Sequence, residues 1–198
     1  MNWKLKDVLM MAISAAVLGV VYLGNVYLGG AITAAITAAA PEWGVIGYEP
    51  LYGVYFMAAT FVAYIIRKPG IGILAELIAA VVEVLLGNWF GPSVPVTGLL
   101  HGFACELVFF LTRYRKWNLG TMMLAGVSVS VISFARHMFT ESYYLLDTKI
   151  WVVMLLLRTV SAIVITGIVS KLLADALNRA GVLKGYAISK GSEDLYED

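Results

Sequence analysis

Four ionisable side chains stand inside long apolar stretches: Glu76, Glu83, Glu106 and Arg158. A charge at the centre of a membrane helix costs about 2.5–3.5 kcal/mol on insertion scales. Each must therefore face a bundle interior or a cavity, where it meets a partner or a ligand. Glu76, Ala80, Glu83 and Gly87 recur at helical spacing and share one face. The small residues between the acids leave room for a neighbouring helix or a ligand. Three buried acids against one Arg require at least one carboxylate to carry a proton or to face an external cation. Arg158 is either a structural salt-bridge partner for one of these acids or a ligand contact.

A second polar set follows. Gly126, Ser130, Ser133, His137 and Glu141 form a stripe along one helix, with Thr140 beside it. Gly and Ser at such positions serve helix–helix packing, and His137 extends the stripe toward a binding wall. His101 and Glu106 are five residues apart, which sets them about 140° apart around a helix. One narrow pocket does not take both; Glu106, nearer the middle of its stretch, is the pocket candidate, and His101 either orients another helix or sits at the rim. Asn88 and Trp89 follow Glu83, and Tyr48, Tyr52 and Phe56 precede it, so acid, amide and aromatic faces fall near one another. Aromatic faces favour cations, so a positively charged aromatic small molecule suits this set. The same aromatics also suit anchoring at a membrane interface.

The elements that must position these residues are membrane helices. The 198 residues are 61% hydrophobic and 14% charged, with a mean hydropathy of +0.85. This excludes a soluble single domain, disorder, a collagen-like repeat and a disulfide scaffold, the last because Cys105 is the only cysteine. A net charge of +1 gives no footprint for nucleic acid. The fold class is all-α, a polytopic membrane protein with six helices expected at 8–28, 51–66, 71–86, 96–112, 119–138 and 150–173. The first stretch is too long for a signal h-region and is retained. Eleven of the 14 basic residues (Lys4, Lys6, Arg67, Lys68, Arg113, Arg115, Lys116, Lys171, Arg179, Lys184 and Lys190) fall on one side of that arrangement. Both termini are then cytoplasmic.

Residues 1–183 make the transmembrane domain, and 184–198 a polar, disordered cytoplasmic tail. Residues 29–50 read as an external loop with Glu42 and Glu49 and no Lys or Arg. It is either a lid over a site or an ordinary loop with aromatic anchors, and 31–40 is too short to span. Ala12 and Ala16, with Ala15 and Gly19, allow close helix approach, inside the bundle or toward another membrane subunit. No phosphate loop, zinc-protease motif or nucleophile elbow is present in the sequence, so the chain has no ATPase motif and no metal or cofactor is expected. An intramembrane enzyme built on Glu83, Glu106, His101 and His137 is the rival reading; it lacks a known ligand spacing.

The stretch AYIIRKPGIGILAELIAAVVEVLLGNWFG, the segment GLLHGFACELVFFLTRYRKW and the opening KLKDVLMMAISAAVLGVVYLG resemble the S components of energy-coupling factor transporters. The resemblance covers about half the chain and is nearest the YkoE-like family, associated with thiamine and its hydroxymethylpyrimidine precursor. It implies a substrate-binding subunit of the bacterial cytoplasmic membrane that captures a vitamin externally. A transmembrane coupling subunit and ATPase subunits would then drive uptake. It also implies that Ala12 and Ala16 match the Ala-x-x-x-Ala docking motif of the first helix. The family pocket points to Glu106, His137 and Arg158, with 29–50 as lid. For a thiamine-like ligand, Glu83 or Glu106 would balance the cationic ring and Trp89, Tyr52 or Phe56 would stack on it. An S component for a different vitamin remains the alternative.

Overall fold

The computed structural model describes residues 3–190, and every regular element among them is helical. Helix α1 (Leu5–Ala39) is followed by two 3-10 segments, Pro41–Leu51 and Val54–Phe56, and then by α2 (Met57–Ile66). Helices α3 (Ile71–Leu85), α4 (Val94–Leu111) and α5 (Leu119–Thr140) come next. Helix α6 (Thr148–Ser161) passes through a π-helical segment, Ala162–Val169, into α7 (Ser170–Arg179). Four helices among the described residues are long and apolar enough to cross a membrane, and a fifth is added if the pair Pro41–Leu51 and Val54–Ile66, bent by 42°, counts as one. The sequence predicts six; α3 is the shortfall, because its 15 residues rise only about 22 Å against an apolar layer of about 30 Å.

Helix boundaries follow the local chemistry. Arg67, in the left-handed conformation (φ 56°), ends α2, and Pro69 with Gly70 (φ 81°) turns the chain into α3. Asn118 caps α5 by accepting from the Thr121 N–H at 2.9 Å, and Asp147 caps α6 by accepting from the Lys149 N–H at 2.8 Å. Arg67, Lys68 and the Arg113–Lys116 turn gather at one end of the bundle with the start of α1. There Lys68 pairs with Asp7 (2.8 Å), and the Tyr64 hydroxyl donates to Asp175 of α7 (3.0 Å). The beginning of the polar 184–198 segment is packed at this end. Leu183 is fully buried, the Tyr186 hydroxyl donates to the Lys6 carbonyl, and the Lys6 ammonium donates to the Gly185 carbonyl. Residues 191–198 of the expected tail lie outside the described residues.

The far end departs most from the expected loop at 29–50. Helix α1 continues through 29–39, because the Ala-rich run that follows Gly29-Gly30 favours helix and Pro41 is the first residue to stop it. Gly29 is required there: a Cβ would enter the ring of Tyr48. Residues 41–51 then coil back as a 3-10 helix. On α1, Met11, Ala15, Leu18, Tyr22 and Val26 are buried, while Ile13, Val17 and Val20 are exposed, which divides the helix into a packed face and an apolar outer face. Gly19 brings α1 against α3, with a Cβ there falling 2.6 Å from the Ala79 carbonyl oxygen. Ala12 and Ala16 lie half-buried along the border of the two faces.

Candidate functional site

A cavity of about 390 Å³ opens at the far end, between the end of α1, residues 45–55, α3, α4 and the end of α5. Its size suits a small heteroaromatic molecule. Glu76 and Glu83 both line it, two turns apart on the face of α3 that also carries Ala80. Gly87 falls outside this face because α3 ends at Leu85 and Gly87 turns with φ 103°. Glu76 is held by the Tyr22 hydroxyl (3.0 and 3.1 Å to its two oxygens) and by the Ala59 N–H (2.8 Å). Glu83 accepts from the Asn88 side-chain amide, whose own oxygen accepts from the Phe90 N–H at 2.6 Å. Among the described residues no ion pair joins a basic side chain to Glu76, Glu83 or Glu106.

Arg158 sits behind the cavity wall, with no exposed surface. Its guanidinium makes two 2.7 Å bonds to Glu49, which is equally buried. It also reaches His137 Nδ1 at 2.8 Å and donates to the Ser133 hydroxyl at 3.2 Å. Its carbon lies 3.7 Å from the centre of the Tyr52 ring. The His101 Nε2 joins the same network through Ser133 (3.1 Å). Three hydroxyl contacts fasten residues 50–53 to the same helix: Ser161 donates to the Pro50 carbonyl (2.7 Å) and accepts from the Gly53 N–H (2.9 Å), and Thr166 donates to the Gly53 carbonyl (2.7 Å). Residues 49–53 are thus tied to α6 and the π-helical segment after it by a bidentate ion pair and three neutral bonds.

The sequence matches, over residues 6–132, the family model described as the ABC-type cobalt transport system, permease component. A protein of Bacillus subtilis (strain 168), which carries the name HMP/thiamine permease protein YkoE, is 38% identical over 189 residues, 96% of this chain and 92% of its own length. A crystal structure of an S-component of an ECF transporter matches with a TM-score of 0.88 at 36% identity, covering 98% of this chain and 93% of that one. The chain belongs to the YkoE-like S components of energy-coupling factor transporters. The subunit is therefore a membrane-spanning transport component. Among its described residues no three His, Cys, Asp or Glu side chains gather as metal ligands would.

Of the residues expected in the S component's site, Glu83, Asn88, Tyr48, Tyr52 and His137 line the cavity. Glu106 does not. It accepts from the N–H groups of Gly70 (2.7 Å) and Gly72 (2.9 Å), so it caps the start of α3 toward the basic end, where a helix N-terminus favours a carboxylate. Tyr114, in the turn after α4, also bonds Glu106; burial and that carboxylate push its ionisation up, which keeps it a donor. His101 lines the cavity in place of Glu106, so the helical angle between the two is as expected but the assignment is reversed. Phe56 is buried behind the cavity, edge-on to His101 with ring centres 4.7 Å apart. Trp89 is half exposed and packs on Tyr27 (5.0 Å), outside the cavity lining. Arg158 acts one layer back through His137 and Tyr52.

Glu49, Tyr22 and Tyr55 were not singled out from the sequence. Glu49 lies in the segment expected as a loop, yet an acid inside the apolar run between Val45 and Tyr55 carries the same insertion cost as Glu76, Glu83 and Glu106. Tyr22 continues the buried face of α1, four residues before Val26. In the Ser stripe, Ser130 bonds Thr159 across α5 and α6 (2.9 Å), a packing contact, whereas Ser133 belongs to the Arg158 network.

Proposed function

We propose that this S component captures thiamine or its hydroxymethylpyrimidine precursor from outside the cell, in the cavity lined by Glu76 and Glu83, for ATP-driven uptake with a coupling subunit and ATPase subunits. In this reading the chain makes six passes through the bacterial cytoplasmic membrane, with the basic end and both termini inside; the excess of Lys and Arg at that end supports the orientation. Ala12 and Ala16, on the border of the outer face of α1, would meet the coupling subunit. The chain itself works as a transport subunit, not as an enzyme.

The observation that carries the reading is the pair of carboxylates on one cavity wall, neither of them in an ion pair among the described residues, with Tyr48, Tyr52 and Tyr55 in the same lining and Arg136 as its basic residue. Such a wall suits a ligand that brings positive charge and N–H donors on an aromatic frame. Thiamine offers a cationic thiazolium and an aminopyrimidine. The name of the Bacillus relative points to the same chemistry. The test is a thermal-shift screen of the purified protein in detergent against thiamine, hydroxymethylpyrimidine, riboflavin and biotin. A ligand at one hundred times its Kd adds about 2.7 kcal/mol to stability, or roughly 5–10 °C for a chain of this size. A shift with thiamine or hydroxymethylpyrimidine is expected; a shift only with riboflavin or biotin, or with none, refutes the assignment.

A further inference from the structure

A guanidinium only donates hydrogen bonds, and an imidazole nitrogen accepts one only where it carries no proton. Arg158 therefore decides where the proton of His137 resides. Its Nη1 lies 2.8 Å from His137 Nδ1, and a proton on that nitrogen would set donor against donor. The bidentate pair with Glu49, both side chains being fully buried, keeps the guanidinium from turning away. His137 thus carries its proton on Nε2. The two ring nitrogens point away from each other. With Nδ1 turned back to Arg158, the Nε2–H is on the side that lines the cavity. Both hydrogen bonds of His137 involve Nδ1, so Nε2 has no partner among the described residues, and it is not sealed from solvent as the Tyr55 hydroxyl is.

The same guanidinium sets His101 at one remove. Ser133, fully buried, accepts from Arg158 Nη1 at 3.2 Å, which leaves its own hydrogen for His101 Nε2 at 3.1 Å. Were the imidazole to donate instead, the Ser133 hydrogen would be buried with no acceptor. His101 therefore accepts at Nε2 and carries its proton on Nδ1. Helix α4, which holds His101, stands between α3, which carries Glu76 and Glu83, and α5, which carries His137. The cavity then offers an acceptor at Glu83 on its α3 side and N–H donors on its α4 and α5 side. A ring that donates at one edge and accepts at the opposite edge fits between them. In an aminopyrimidine, the ring nitrogen para to the amino group is such an acceptor.

We propose that Arg158 is a positioning residue that sets both histidines as N–H donors into the cavity, directly for His137 and through Ser133 for His101, and that His137 Nε2–H donates to the ring nitrogen para to an amino group held at Glu83. The second half rests on the reading that the cavity takes an aminopyrimidine; the first half depends on no ligand. A site built to donate to a ring nitrogen discriminates against the analogue without it, because the donor is then left unpaired.

The chain has two histidines, so protein labelled with nitrogen-15 histidine gives two sets of ring signals. Correlating the carbon-bound ring protons with both nitrogens shows which nitrogen is protonated, and His101→Asn leaves the His137 set alone. In the unliganded protein in detergent near neutral pH, His137 should show the Nε2–H form and His101 the Nδ1–H form. Ser133→Ala should change the form of His101 and leave that of His137. A His137 proton on Nδ1, or a doubly protonated ring, overturns the role of Arg158. An unchanged His101 in Ser133→Ala overturns the relay through Ser133.

Binding tests the second half. Wild type should bind hydroxymethylpyrimidine about three- to tenfold more tightly than its analogue with C–H in place of the ring nitrogen para to the amino group, the range of one neutral hydrogen bond. His137→Phe should bind the two alike. Where that variant fails to fold, labelled wild type decides: hydroxymethylpyrimidine should move the His137 Nε2 signal further than the analogue does. Equal affinity of wild type for both ligands, discrimination retained in His137→Phe, or equal movement of the signal overturns the donor role and leaves the proposed function standing. A wild-type protein that binds neither thiamine nor hydroxymethylpyrimidine refutes the proposed function and the second half with it, while the proton positions of the two histidines still decide the first.

Discussion

Replacing Arg158 by Met tests whether the segment around Glu49 is held against α6 by charge. The substitution keeps an unbranched side chain of similar length and removes the guanidinium from Glu49, His137, Ser133 and the face of Tyr52. Glu49 and Arg158 are both fully buried, so water cannot replace the lost partner. Removing one member of such a pair costs about 3–5 kcal/mol, mostly from the charge left behind. At roughly 2–4 °C per kcal/mol for a chain of this size, the melting temperature should fall by about 6–20 °C. Adding Glu49→Met to Arg158→Met removes the stranded charge. The double variant should recover to within about 1–2 kcal/mol of wild type, because replacing both members of a buried pair by apolar side chains is far cheaper than breaking it. The assay is thermal unfolding in detergent, followed by tryptophan fluorescence for the two single variants and the double. A drop of less than about 3 °C for Arg158→Met refutes the reasoning. So does a double variant whose loss equals the sum of the single losses, since two coupled groups cannot add in that way.

Two other substitutions separate cavity from scaffold, and a third probes assembly. Glu106→Gln should lower stability by about 1–2 kcal/mol through weaker capping of α3, leaving thiamine affinity unchanged; calorimetric titration beside thermal unfolding checks both parts. Glu83→Gln should do the reverse, lowering thiamine affinity at least tenfold through loss of a charge-assisted contact, with little change in the unliganded melting temperature. Ala12→Trp, at the border of the outer face of α1, should leave ligand affinity intact and prevent co-purification with the coupling subunit; normal co-purification refutes the docking role.

The membrane-helix character, the interruption at Pro69-Gly70 and the burial of Glu76, Glu83 and Arg158 were legible in the sequence because charge inside an apolar run has only one explanation. The shared face of Glu76 and Glu83 followed from spacing alone. What spacing could not supply was depth along the helix axis. His101 and Glu106 diverge around α4 as five residues require, but periodicity does not say which of them looks into a cavity and which meets Gly70 and Gly72 of another helix. The partner of Arg158 was hidden for a related reason. Glu49 lies 109 positions away in a segment whose Gly and Pro content reads as loop, so nothing local marks it as buried. Gly29-Gly30 reads in the sequence as the start of a loop, whereas in the structure the missing Cβ atoms make room for Tyr48 and α1 continues to Ala39.

The charge balance changes accordingly, and it singles out one acid. Arg158 is satisfied by Glu49, an acid outside the original three, so it neutralises none of Glu76, Glu83 and Glu106. Glu106 is held by two backbone N–H groups and Tyr114 at a helix N-terminus, which stabilises a carboxylate without any cation. Glu76 accepts one backbone and one tyrosine contact, the tyrosine shared between both oxygens, so most of its accepting capacity is in use within the protein. Glu83 accepts from Asn88 and keeps an oxygen open to the cavity. A cation or an N–H donor entering the cavity therefore gains most at Glu83, and the deeper Glu76 serves chiefly to fix Tyr22 and the first turn of α2. Of the three acids that stand out in the apolar sequence, one caps a helix, one holds Tyr22 and the first turn of α2, and the one with capacity left lines the cavity.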